Sequence, residues 1–364
     1  MGAVKQQGFL YKPSHEWALE LLLDGLPSGL PAEEVPLREA VGRVAAAEVR
    51  ALRPFPAIDL SMMDGVALRP GETPEQGSPV RTGEPIPAGA EAVIPAEALD
   101  GDDPLSNASA QHVVRSGSEY AAGDEVVPAG AVISHRDVSQ LALFGIESVR
   151  VLRKPRIRVA IFEGRPFFEA VESWLRGLLG FYHAVELNVE PLGAIGELSF
   201  PEGGTDLGIV VSDGRPGRYD EIKGLTGGAL PGFETLFWKL DLQPCKHVGL
   251  GRLRGAPVLV LPDVFFKTAL AALAFLPRAL AEWAGRELSA RPAYWAELPE
   301  IRYPYPCLVP LGFGERRRGL SASATPLRST FSARWVSAAR GWTVLDRPPR
   351  AGDEIAAHVL GELR

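Results

Sequence analysis

Apolar residues recur at helical spacing twice near the start of the chain. Ala18, Leu21 and Leu22 share one face, ended by Gly25 and Pro27, and Leu37, Val41 and Val44 share another. Two amphipathic helices are therefore expected between residues 13 and 50. From residue 51 to about 115 the pattern changes to short apolar runs with Gly and Pro at regular spacing, and turn formers fill 100–110. That pattern predicts a small β-rich segment. Ser134 then stands where it can cap a helix carrying Asp137, Leu141, Leu143 and Phe144, closed by Gly145.

Beyond Pro155 the pattern becomes strand, helix, strand. An apolar strand is expected at 157–162, a helix at 168–179, strands at 184–189 and 208–212, a strand at 257–262 and a long helix at 267–285. Loops at the carboxyl ends of such strands are where doubly wound folds build ligand sites. After residue 290 short alternating strands and turns return, at 308–311, 319–323 and 352–360, which suggests a small β-barrel or sandwich.

A chain of 364 residues has room for two to four domains. Its net charge of −7 argues against nonspecific nucleic-acid binding, because no general excess of cations is present to neutralise phosphates. Arg316, Arg317, Arg318, Arg328, Arg334 and Arg340 form a local basic cluster, read as a solvated loop. The two cysteines, Cys245 and Cys307, lie far apart, so neither a disulfide framework nor a zinc site is expected. Lys5 and Lys12 are not followed by an uninterrupted apolar run, and no stretch of about 18 apolar residues occurs, so neither a signal peptide nor a membrane span is expected. A cytoplasmic protein fits these features.

Two ordered motifs carry the strongest signal. Pro54-Phe55 leads to Ser61-Met62-Met63-Asp64-Gly65-Val66-Ala67, and Arg81-Thr82-Gly83-Glu84-Pro85-Ile86-Pro87-Ala88-Gly89-Ala90-Glu91-Ala92-Val93-Ile94-Pro95 follows. Taken alone, the first is a Pro-rich connector whose Asp64-Gly65 turn leads into a strand. Together they resemble the paired signatures of the MoeA family, the molybdopterin molybdenumtransferases, with Val66 in place of the usual Tyr. The resemblance extends through Gly123-Asp124-Glu125-Val126-Val127-Pro128-Ala129-Gly130 to the C-terminal stretch Ala351-Gly352-Asp353-Glu354-Ile355, and weakens after residue 155.

The resemblance implies a multidomain α/β and β protein. A helical and β N-terminal domain (1–50 plus 116–154) would carry a β-rich insert (51–115). A doubly wound, MogA-like α/β domain (155–287) and a small C-terminal β-barrel domain (288–364) would follow. It implies molybdenum insertion into adenylylated molybdopterin, with molybdopterin and molybdate as substrates and Mg²⁺ held by carboxylate oxygens. A homodimer and a partner of the molybdopterin adenylyltransferase type are also implied. Carried over by motif, Asp64, Asp220, Lys239 and Lys246 would be catalytic, and Asp64 and Asp220 would hold the metal. Ser61, Thr82, Gly83, Ser212, Asp213, Gly214, Lys223 and Pro262 would bind the cofactor.

The chain departs from the family in its α/β half. Asp213 replaces a glycine, Lys-Pro-Gly-Lys-Pro becomes Gln243-Pro244-Cys245-Lys246-His247, and Gly-Asn-Pro becomes Asp263-Val264-Phe265. Ser-Thr-Gly-Asp-Glu becomes Glu163-Gly164-Arg165-Pro166, and an acidic segment is missing between Glu119 and Ala121. A catalytically impaired paralogue that binds molybdopterin or acts as a scaffold is the alternative these changes raise. Cys245 and His247 could be read as a nucleophile and base, but no carboxylate is placed in sequence to orient the histidine.

Overall fold

The first helix, α1 (His15–Gly25), begins where the Ser14 hydroxyl accepts the Trp17 N–H, and its Ala18 and Leu22 are buried. The computed structural model describes residues 12–163, 167–182, 185–212, 230–262, 264–283, 291–295, 306–316, 319–324, 339 and 341–359. The chain divides into two compact units, one of Ala32–Leu152 and one of Met1–Pro31 with Arg153–Arg364.

In the Ala32–Leu152 unit, strand β1 (Ala32–Pro36) runs antiparallel to β9 (Ser148–Leu152), with Val35 opposite Val149. A single 3-10 turn, Leu37–Glu39, follows it. The second helix expected before residue 50 is therefore absent. Leu37 and Val44 are buried but Val41 is 51 % exposed, so the three do not share a face. Pro31 and Pro36 bracket β1, and the pairing with β9 gives its backbone groups partners that a short isolated helix could not match. Strand β2 (Val49–Arg50) pairs with β8 (Glu125–Val127), and β3 (Leu60–Ser61) with β7 (Val113–Val114). Between them, β4 (Gly65–Leu68) lies at the centre of a three-stranded antiparallel sheet, flanked by β5 (Ser78–Val80) and β6 (Ala92–Pro95). Ala67, Val80, Ala90, Val93 and Val113 form the core of this β-rich part. Helix α2 (His135–Leu143) starts at a full capping box between Ser134 and Asp137, and Leu141 points into a second core with Val35, Leu37, Ile133 and Val151.

The other unit is built on a six-stranded sheet. Strands β10 (Arg156–Phe162), β11 (Glu186–Leu192), β12 (Leu207–Ser212) and β15 (Ala256–Pro262) are parallel, in the order β11-β10-β12-β15. Two antiparallel strands, β14 (Gly249–Leu253) and β13 (Phe233–Trp238), extend that edge. Sequence periodicity leaves β14 unread, because Gly249 and Gly251 interrupt its apolar run. Both glycines are required by packing: a Cβ at either would lie 2.2–2.3 Å from a ring of Trp238 or Phe233. Helix α3 (Phe168–Tyr182) packs against α4 (Phe265–Trp283). Nearly all of α4 is buried, as a helix apolar on every face must be. Strands β16 (Arg291–Trp295), β17 (Cys307–Arg316), β18 (Gly319–Ala324), β19 (Gly341–Leu345) and β20 (Glu354–Val359) close into a barrel around Val309, Leu311, Ala322 and Ala357.

Two histidines line the region where α1, α4 and the barrel meet. The His15 ring bonds the Ala274 carbonyl through Nε2 at 3.0 Å and meets Phe275 edge-on, while His358 stacks on Trp342. Burial pushes both pKa values down; Ala274 and Glu16 oppose this at His15, and the charges of His15 and Arg278 add to it at His358. A depressed histidine pKa means the folded state prefers the neutral ring. Its contribution to stability is complete above the ordinary histidine value and declines as pH falls through the folded one. Thermal unfolding is expected to be flat from about pH 8 to 7 and to weaken below about 6.5. In His15→Gln/His358→Gln that decline should shrink, and an equal slope in both proteins would show that other groups are responsible.

Candidate functional site

The two motifs of the N-terminal half meet at one turn. Gly65 opens β4 opposite Val80 of β5 and Pro95 of β6. A Cβ at Gly65 would lie 1.9 Å from the Ile94 carbonyl oxygen, so only glycine fits there. Asp64 therefore leaves the sheet at a fixed point, and its own carbonyl accepts the Ala96 N–H at 2.8 Å. Its carboxylate turns to the second motif: Oδ1 accepts the Thr82 N–H at 2.7 Å and the Thr82 hydroxyl at 2.9 Å. The Thr82 amide, then its hydroxyl, hold the Asp64 carboxyl below its ordinary pKa, and the Arg81 charge adds to this. Asp64 is thus an exposed, ionised carboxylate with one oxygen, Oδ1, fixed by Thr82.

Ser61 and Gly83 build the frame around it. Ser61 is 2 % exposed, and its hydroxyl donates to the Met63 carbonyl at 2.6 Å, closing the bend before Asp64. The Gly83 N–H donates to the Ser61 carbonyl at 2.7 Å, and the Ser61 N–H to the Glu84 carbonyl at 2.9 Å. Gly83 has φ +82°, the left-handed region that favours glycine. The structure thus brings four predicted residues together: Ser61, Asp64, Thr82 and Gly83. Nearby, Asp59 accepts from Arg115 and from the Ser116 N–H, which ties β3 to the chain after β7. Tyr120 and Phe55 share a β-bridge and both pack edge-on against Phe144, at the place where the family's acidic segment is missing.

The remaining predicted residues belong to the other unit. Ser212 and Pro262 end β12 and β15 and are register partners, so they lie side by side at the carboxyl edge of the parallel sheet. Strand β13 runs parallel to β15, which brings its end to that same edge. There the Lys239 N–H bonds the Val248 carbonyl at 3.0 Å and the Leu240 N–H bonds the Lys246 carbonyl at 2.9 Å. Lys239 holds φ +78°, an uncommon conformation for a residue with a Cβ, and Lys246 is exposed. One closed connection therefore carries both lysines. Asp213, Gly214, Asp220 and Lys223 lie outside the described residues, as do Arg317, Arg318, Arg328, Arg334 and Arg340 of the basic cluster. Cys245 is fully buried and desolvation pushes its thiol up to about 12, so the reading of Cys245 and His247 as nucleophile and base does not hold.

Among the described residues no group of three or more His, Cys, Asp or Glu side chains is arranged around a metal position. No described helix is long and apolar enough to cross a membrane. Sequence reading missed Arg81 and Glu84, which flank Thr82-Gly83. Their signal is positional: Arg81 directly follows Val80, whose register partner Gly65 directly follows Asp64.

A parallel sheet extended by two antiparallel strands, a closed barrel and a β-rich segment carrying the paired turn motifs define a multidomain α/β and β fold. The family model for the MoeA N-terminal region (domain I and II) matches residues 14–145. Over that stretch the chain matches the MoeA family, and the relatives and the solved structure that follow are similar to it over more of its length. It is 27 % identical over 288 residues to molybdopterin molybdenumtransferase 2 of Mycobacterium tuberculosis, covering 63 % of this chain and 69 % of that protein. It is 25 % identical over 286 residues to the molybdopterin molybdenumtransferase of Haemophilus influenzae, covering 66 % and 70 %. Its fold is that of the molybdopterin biosynthesis moeA protein of Pyrococcus horikoshii, with a TM-score of 0.65 at 20 % identity over 96 % of this chain and 100 % of that one.

Proposed function

We propose that this chain is a molybdopterin molybdenumtransferase, acting in molybdenum cofactor biosynthesis by inserting molybdenum from molybdate into molybdopterin, with the adenylylated form as substrate. The observation that supports this best is the lock between the two motifs, in which Thr82 fixes one oxygen of an ionised, exposed Asp64. A carboxylate held in that way fits Mg²⁺, which commonly takes one or two protein carboxylates and fills its remaining positions with water and substrate oxygens. Asp64 would supply one such carboxylate, and Asp220 is the other that the resemblance names. When bound, Mg²⁺ would offset negative charge on the oxyanions of the substrates.

The chain's own groups account for the rest of the reading. Ser61 and Gly83 keep the turn rigid, so Asp64 needs little reorganisation to meet a ligand. At the carboxyl edge of the sheet, Lys239 and Lys246 would supply cationic contacts for an anionic substrate, beside Ser212 and Pro262; Asp213, Gly214 and Lys223, which follow β12 in sequence, belong to the same proposal. The division into domains at 50/51, 115/116, 154/155 and 287/288 belongs to the same proposal. So do a homodimer and delivery of substrate by a molybdopterin adenylyltransferase-type partner.

One observation favours the alternative, an impaired paralogue that binds molybdopterin without completing insertion. Three adjacent parallel strands, β10, β12 and β15, are each followed directly in sequence by an acid: Glu163, Asp213 and Asp263. Negative charge there opposes a phosphate-bearing ligand. Complementation separates the two readings. A strain lacking its molybdenumtransferase, supplied with this chain at low molybdate, is expected to regain molybdoenzyme activity. Asp64→Ala should lower that activity by on the order of a hundredfold while leaving the protein folded. Absence of rescue by soluble wild-type protein would reject the enzyme reading in favour of the binding one.

A further inference from the structure

The β4–β5 ladder ends at the rung Gly65↔Val80, and Asp64 and Arg81 are the next residues beyond it on its two sides. Opposite charges in such a cross-strand position ordinarily pair. Here no ion pair joins them among the described residues, and the Asp64 Oδ1 atom accepts instead from the amide and hydroxyl of Thr82. Arg50, Arg69 and Arg115 in the same unit each hold a carboxylate oxygen at 2.8, 3.0 and 2.7 Å respectively. Arg81 has no such partner among the described residues, and its side chain is exposed.

The backbone beneath it is nevertheless fixed. The Glu84 carboxylate accepts the Arg81 N–H at 2.9 Å, which occupies one Glu84 oxygen within the turn. Gly83, at the crest, has open space on its Cβ side, with nothing within 4 Å. A free guanidinium is therefore carried on a rigid turn, beside a carboxylate whose orientation is set by other groups. Its planar fork of donors matches the oxygens of a tetrahedral oxyanion, and its charge does not titrate away near neutral pH.

We propose that Arg81 is a substrate-contact residue of the Asp64–Thr82 turn, and that it binds a tetrahedral oxyanion. The oxyanion is either molybdate itself or the phosphate of the pterin substrate. This rests on the transferase reading, and it assigns to the turn a cation beyond the residues carried over by motif.

The test is titration calorimetry of the full-length chain in Mg²⁺ with two probes, molybdate and inorganic phosphate. It compares wild type, Arg81→Met, Arg81→Lys and Asp64→Ala, with matched thermal unfolding to establish that each variant folds. Arg81→Met is expected to weaken one of the two probes about tenfold or more, the loss associated with a charge-assisted hydrogen bond. Arg81→Lys should recover part of that loss. Weakening confined to molybdate identifies the metal oxyanion as ligand, and weakening confined to phosphate identifies the pterin side. Equal binding of both probes by wild type and Arg81→Met, or no binding of either by wild type, overturns the proposal. Failure of the transferase reading looks different: soluble wild-type protein then fails to restore molybdoenzyme activity, whatever Arg81→Met does to oxyanion binding.

Discussion

Gly65→Ala is expected to destabilise the Ala32–Leu152 unit by more than about 3 kcal/mol, beyond the usual range for overpacking a side chain. The added Cβ would sit 1.9 Å from the Ile94 carbonyl oxygen, 2.9 Å from its carbonyl carbon and 3.1 Å from the Ala96 nitrogen. All three are backbone atoms, so no rotamer change relieves the overlap. Val93 and Ile94 are themselves 0 % exposed, which leaves β6 no room to retreat into its own core. Strands β4 and β6 would have to separate, breaking the rungs Gly65↔Pro95 and Val66↔Ile94 and the bond from Ala96 to the Asp64 carbonyl. Activity should fall with stability, because that bond fixes where Asp64 leaves the sheet. Gly83→Ala is the control: its φ is +82° but its Cβ would meet nothing within 4 Å. It should cost only the left-handed penalty, about 1–2 kcal/mol. Urea unfolding of both variants checks this. Similar midpoints for the two would mean that β4 and β6 can yield, and the packing account would fail.

The contrast between these glycines shows what the sequence made legible. Asp64-Gly65 reads as a turn dipeptide leading into a strand, and the structure places β4 there. The reason for the glycine is invisible in sequence, since Ile94 lies 29 positions downstream and approaches only once β6 pairs with β4. The helix at Ser134 was legible because its capping box is local, with Ser134 and Asp137 three residues apart. The helical spacing of Leu37, Val41 and Val44 misleads because distant parts of the chain take the backbone bonds of that stretch: the Leu37 N–H goes to the Glu147 carbonyl, the Gly42 N–H to the Ile133 carbonyl, and Val44 bridges Val132. The turn site followed the same rule. Ser61, Asp64, Thr82 and Gly83 are found through their motifs, whereas Arg81 becomes visible only through the rung Gly65↔Val80, beyond which it and Asp64 both lie. At the carboxyl edge of the sheet, Ser212 and Pro262 were legible as strand ends. That Lys239 and Lys246 close one connection depends on the rungs to Val248 and Leu240, which periodicity does not encode.

Asp206→Ala is expected to cost about 3 kcal/mol, the range for removing one partner of a buried charge pair. The Asp206 side chain is 7 % exposed and accepts hydrogen bonds from the two terminal guanidinium nitrogens of Arg153, at 2.8 and 2.9 Å. It also takes the Arg156 N–H at 2.6 Å, just where β10 begins. One carboxylate thus satisfies the chain leading into the sheet and the first residue of that strand, and alanine would leave the Arg153 and Arg156 charges facing each other. Burial alone would raise the Asp206 pKa, but the hydrogen bonds from Arg153 and Arg156 and their charges outweigh it, and the net shift is downward. A lowered carboxylate pKa contributes stability that is complete above the ordinary value, about 4, and is lost as pH falls through the folded value. The stability difference between wild type and Asp206→Asn should therefore be constant from pH 8 to 5 and should close only in strong acid. Denaturant unfolding across that range measures it. A difference that disappears already near pH 6 would mean that Asp206 does not carry its charge in the folded protein, and the clamp between Arg153 and β10 would need another explanation.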